Sequence, residues 1–70
     1  MDLDIEQADF ADQVKTLRHR LRLSQEEFAH ALGVSFATVN RWENGKARPS
    51  KLALRQFIAL RDKTNSNSGI

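Results

Sequence analysis

The segment Ser24-Gln25-Glu26-Glu27, followed by Gly33, limits what this chain can fold into more than any other feature. A serine ahead of a helix accepts the backbone N–H three residues on, and a glutamate at that position reaches back to the serine's own N–H. Glycine just past the last turn takes the left-handed conformation that closes the other end. These signals predict a helix over 25–32 with Phe28, Ala29 and Leu32 turned inward. A helix so short has no stability alone and must pack against others. Glycine and proline punctuate the rest of the chain too, at Gly45, Pro49 and Gly69, and no alternating strand-type run occurs. The expected class is therefore all-α, a compact bundle of four to five short helices.

Phe10, Val14, Leu17 and Leu21 follow helical spacing behind a candidate cap at Asp9, which predicts a first helix over 10–22. Ser35 caps a third helix, 36–44, stopped by Asn44-Gly45. Arg48 precedes proline and is expected to be extended. Ser50 then caps a fourth helix, 51–61, with Leu52, Leu54, Phe57, Ile58 and Leu60 as its apolar residues. Residues 1–9 read as an acidic leader, 10–61 as the domain, and the run DKTNSNSGI at 62–70 as a flexible polar tail.

Seventy residues suffice for one domain. With no cysteine, neither a disulfide nor a thiolate metal site can form, a composition that fits a cytoplasmic protein. No apolar run approaches the roughly 18 residues that span a bilayer, so no membrane partner is expected. His19 and His30 lack acidic partners at metal-ligand spacing and read as surface residues, so neither metal nor cofactor is expected. Among the residues there is no nucleophile–base pair and no glycine-rich phosphate loop. No catalytic residue is assigned, and the chain reads as a binding module rather than an enzyme.

The net charge of +2 conceals an asymmetry. Residues 1–13 hold five acids and no base, whereas 15–61 hold ten bases against Glu26, Glu27 and Glu43. A basic body behind an acidic leader fits a polyanionic partner, with nucleic acid first. Two helices joined through Gly33-Val34-Ser35 suggest a helix-turn-helix. Projected at roughly 100° per residue, the third helix puts Val39 and Trp42 on one side and Ala37, Asn40, Arg41 and Asn44 on the other. The second face is small, polar and free of acid, so it can enter a major groove. There Arg41 can fork onto guanine O6 and N7, and Asn40 can pair with adenine N6 and N7. Phe36 falls on the border of the two faces. It is expected to pack one ring edge against the second helix and to leave the other for a thymine methyl or sugar.

The run LRLSQEEFAHALGVSFATVNRWENGKARPS resembles the Cro/repressor-like, or XRE-type, helix-turn-helix family, and with the flanking helices the resemblance covers 10–61. It implies a lambda repressor-like bundle whose third helix is inserted in the major groove of double-stranded DNA, as in bacterial or phage transcriptional regulators. By position it implies base contacts from Phe36, Ala37 and Arg41, joined by Asn40 from the projected face. Phosphate contacts fall to Gln25, Asn44, Lys46 and Arg48, with the cap residues Ser35 and Thr38 beside them. Glu43 matches an acid that pairs with a first-helix arginine, here Arg18, and Trp42 matches a core position. Three further readings stay open: an interaction module such as an antitoxin part, docking a protein through the acidic leader; a DNA-targeting segment of a larger protein; and a homodimer through the fourth helix or the leader as opposed to a monomer.

Overall fold

A computed structural model describes residues 7–68. Within them the chain forms α1 (Gln7–Arg20), α2 (Gln25–Leu32), α3 (Phe36–Glu43) and α4 (Lys51–Ser68), with no strand. No helix among the described residues is long and apolar enough to cross a membrane. α3 packs against α1 and α2, and α4 packs against α2. The core takes Phe10, Val14 and Leu17 from α1, Phe28, Ala29 and Leu32 from α2, Val39 and Trp42 from α3, and Ala53 and Phe57 from α4. Phe10 sits at its centre, edge-on to Trp42 at 5.3 Å and to Phe57 at 5.1 Å. These T-shaped contacts set positive ring edges against negative faces, which adds to the area the three rings bury.

The first three helices end in the same way. After α2, the N–H of Val34 bonds the carbonyl of Ala29 and that of Gly33 bonds His30, with Gly33 at φ 75°. After α3, Lys46 bonds Arg41 and Gly45 bonds Trp42, with Gly45 at φ 70°. After α1, Leu23 bonds Arg18 and Arg22 bonds His19, yet the left-handed residue is Arg22, at φ 59°. Each is a Schellman closure, in which the residue past the cap turns left-handed so that the last carbonyls find donors. The helix expected to run to Arg22 therefore stops at Arg20, and Arg22 makes the turn without glycine's freedom.

The starts follow the sequence closely. Ser24 Oγ accepts the Glu27 N–H at 3.0 Å, and the Glu27 carboxylate accepts the Ser24 N–H at 2.8 Å, completing the capping box. Ser35 Oγ accepts Thr38 N–H at 3.1 Å, and Ser50 Oγ accepts Ala53 N–H at 3.1 Å. Two expectations need correction. α1 begins at Gln7, so Asp9, expected to cap it, stands inside its first turn; residues 1–6 lie outside the described residues. α4 continues to Ser68 through the stretch expected to be a flexible tail, with Thr64 Oγ1 bonding back to the Leu60 carbonyl at 2.9 Å. No glycine or proline interrupts the sequence between Lys51 and Ser68, so nothing in the backbone stops the helix. Leu52 is 66% exposed, because Ala53 and Phe57, four residues apart, hold the inward stripe.

Two substitutions isolate these turns. Arg22→Gly relieves a left-handed side-chain residue and is expected to raise stability by about 0.5–1 kcal/mol. A Cβ at Gly33 would meet no atom within 4 Å, so Gly33→Ala introduces only φ strain, and a loss of about 1 kcal/mol is expected. Urea unfolding checks both signs.

Candidate nucleic-acid interface

α2 and α3 are joined by Gly33, Val34 and Ser35, and the Gly33 turn sends α3 across the bundle with Val39 and Trp42 inward. The outward side of α3 carries Phe36, Ala37, Arg41 and, past its end, Asn44, all exposed, while Asn40 is half-buried. Phe36 is 49% exposed, the exposure of a border residue.

Beneath this side lies a chain of polar contacts spanning three helices. Arg18 of α1 grips Glu43 with two guanidinium nitrogens, Nε to Oε2 at 2.5 Å and Nη2 to Oε1 at 3.0 Å. Its Nη1 also donates to the Leu23 carbonyl at 3.0 Å, so the same side chain braces the turn into α2. Gln25 Nε2 donates to Glu43 Oε1 at 3.0 Å, and Gln25 Oε1 accepts from Asn40 Nδ2 at 3.2 Å. Asn40 Oδ1 in turn accepts from Asn44 Nδ2 at 3.1 Å. Among the described residues no buried side-chain nitrogen or oxygen lacks a partner.

Glu43 is the buried charge in this arrangement, its side chain 5% exposed. Burial pushes its carboxyl up. The Arg18 and Gln25 hydrogen bonds, with the charges of Arg18 and Lys15, outweigh that and hold it below the ordinary value of 4.5. The hydrogen bond to Glu43, opposed by partial burial and helped by the carboxylate's charge, raises Arg18 above its ordinary value. The carboxylate is thereby neutralised within the fold, with two guanidinium nitrogens of Arg18 on its two oxygens.

The residues assigned to phosphate occupy three places. Gln25 opens α2, where the capping box occupies the N–H groups of Ser24 and Glu27 and leaves the intervening N–H groups on the first turn. Ser35 and Thr38 open α3 and bond each other, hydroxyl to hydroxyl, at 2.9 Å. Thr38, Arg41 and Arg48 line one cleft with Ser50 between α3 and the start of α4. Asn44 and Lys46 are exposed at the end of α3. The structure thus links Gln25, Asn40 and Asn44 by hydrogen bonds and gathers Thr38, Arg41 and Arg48 around a cleft. Phe36 and Ala37 stand at the leading turn of α3. What sequence reasoning missed is the double engagement of the Gln25 side chain. Its place beside the capping box is legible, but its partners Asn40 and Glu43 lie 15 and 18 residues away.

Residues 14–59 match the helix-turn-helix family. A type II methyltransferase of Shigella sonnei, M.SsoII, is 39% identical over 57 residues, covering 77% of this chain. The chain spans only 15% of that protein's length. No solved structure gives a significant match.

Two outcomes test the site's construction. Glu43 titrates lower in the folded state, so its contribution to stability is complete above the ordinary value of 4.5 and is lost as pH falls through the lower folded value. Urea unfolding from neutral pH to about pH 2 should therefore fall more steeply for the wild type than for Glu43→Gln, by up to one proton of slope. Phe36→Ala should cost about 1 kcal/mol, in keeping with a half-buried ring, and should also alter the base preference of any selected DNA. A stability loss with unchanged preference would assign the ring to the core alone. With the motif, the turn and the outward side of α3 in place, the match over 14–59 places this chain in the XRE-type, Cro/repressor-like helix-turn-helix family of DNA-binding domains.

Proposed function

We propose that this chain binds double-stranded DNA sequence-specifically, inserting α3 in the major groove, and acts as a transcriptional regulator without catalytic activity of its own. The observation that carries this reading is the outward side of α3. Ala37, Asn40, Arg41 and Asn44 present small groups and hydrogen-bonding heads, and Glu43, the acid on α3, is buried under Arg18. Arg41 reads guanine by donating to O6 and N7; Asn40 reads adenine through N6 and N7. Phe36 and Ala37 contact bases at the leading turn. Gln25, Ser35, Thr38, Asn44, Lys46 and Arg48 hold the phosphates on either side, the first of them from a helix N-terminus that favours anions. A protein that works in this way acts in the cytoplasm of a bacterial cell.

The likeness to a methyltransferase of which this chain spans 15% supports a second reading, a DNA-targeting segment of a larger protein. Both readings require the same contacts and differ in what the bound domain does. A palindromic selected site would indicate a dimer, as two-fold regulators use, and a single half-site a monomer.

Selection from a random DNA pool tests the shared core. One sequence should be enriched, and log affinity should fall linearly with log salt as phosphates release counterions. Arg41→Ala should cost about 1–3 kcal/mol and relax preference at one base pair. No enrichment, together with an Arg41→Ala protein that behaves as wild type, would remove this reading.

A further inference from the structure

We infer that the Arg18–Glu43 pair sets the donor–acceptor polarity of the reading face through Gln25, making Gln25 and Glu43 positioning residues for the base that Asn40 reads. The inference rests on α3 reading DNA and adds to it which bases Asn40 accepts.

An isolated amide side chain can offer its oxygen and nitrogen either way round, because a half-turn exchanges them. Asn40 is not isolated. Glu43, ionised against Arg18, has only acceptors to offer, so the Gln25 group facing it at 3.0 Å is the NH2. That turns Gln25 Oε1 towards Asn40, and an amide oxygen only accepts. Asn40 must then present Nδ2 to α2, at 3.2 Å, which leaves Oδ1 for Asn44 Nδ2, at 3.1 Å. Reversing one amide alone would set oxygen against oxygen or N–H against N–H at its neighbour. The direction imposed by one carboxylate is carried through three amides to the surface.

The consequence for recognition follows from counting. An asparagine amide holds two N–H donors and two acceptor lone pairs. Gln25 takes one donor and Asn44 one lone pair, so one of each remains, in a fixed order. The donor end lies towards α2 and the acceptor end towards Asn44. In the major groove adenine shows an acceptor at N7 and a donor at N6, and it matches this order in one orientation. Guanine shows acceptors at both N7 and O6 and would bring O6 against Asn40 Oδ1. The clamp therefore favours adenine over guanine and also fixes which strand carries the adenine.

The test is selection from a random DNA pool, read position by position, for wild type, Asn40→Ala, Gln25→Leu and Glu43→Gln, with a melting curve for each. Asn40→Ala identifies the base pair that Asn40 reads, as the position whose preference it abolishes. Gln25→Leu removes the amide and leaves an apolar branch one atom shorter. It should reduce the adenine-over-guanine preference at that pair by about fivefold or more, the lower end of a bidentate contact's worth, while the Arg41 pair keeps its preference. In Glu43→Gln the new amide keeps its oxygen where Oε1 accepts from both Arg18 Nη2 and Gln25 Nε2, because an NH2 there would face the guanidinium. The amide order is then preserved, and the Asn40 pair should keep its preference for adenine. If Glu43→Gln fails to fold, Gln25→Leu alone decides. Unchanged preference at the Asn40 pair in folded Gln25→Leu, or an equal weakening at every position, would overturn the inference and leave DNA reading intact. An Asn40→Ala protein with the wild-type profile would do the same. A wild type that enriches no sequence would overturn both.

Discussion

The bond between Arg18 and Glu43 is the interaction on which the rest of this structure depends. A carboxylate 5% exposed is costly to bury, and the cost is offset only by a partner that is always charged and shaped to meet both its oxygens. Arg18 meets that requirement from α1, and its third nitrogen holds the Leu23 carbonyl where the chain turns into α2. One guanidinium thus ties α1 to the end of α3 and to the start of α2. An apolar pair of similar volume could fill the same space. It could not orient Gln25, because orientation needs an acceptor with fixed direction.

Around this bond the fold is assembled from helices too short to persist alone. α2 and α3 have eight residues each, and their stability comes from the stripe they bury and from the satisfied groups at their ends. Three left-handed closures and three hydroxyl caps account for those ends. The buried cluster supplies the rest, with Phe10 packed against Trp42 and Phe57. The outward side of α3 is set by these ends together with the inward packing of Val39 and Trp42.

Much of this was legible in the sequence because its signals are local. Ser24 with Glu27, Ser35, Ser50, Gly33 and Gly45 each declare a helix end within a few residues, and the structure puts an end at each. The end of α1 was not legible, since Arg22 turns left-handed without the residue that normally signals it. α4 was underestimated because Thr, Asn and Ser favour turns, although none forbids a helix where no glycine or proline intervenes. Leu52 is apolar by type and outward by phase. Gln25 is the case sequence could not resolve. Its neighbours in space come from α3, and only the packed bundle brings them together. The pairing of Arg18 with Glu43 was reached through family resemblance, since nothing in their separation of 25 residues predicts contact.

The residues on the outward side of α3 divide according to whether they also serve the fold. Phe36, Ala37 and Arg41 are exposed, and among the described residues no side-chain hydrogen bond holds Arg41. Exchanging any of them leaves the bonds among Arg18, Glu43, Gln25 and Asn40 in place. Asn40 differs, because it shares bonds with Gln25 and, through it, with Glu43 and Arg18. A substitution in that set alters the environment of the others, and its effect depends on which of them is present. One half of the outward side of α3 thus stands apart from the charge that holds the helices together, while the other half is bound to it.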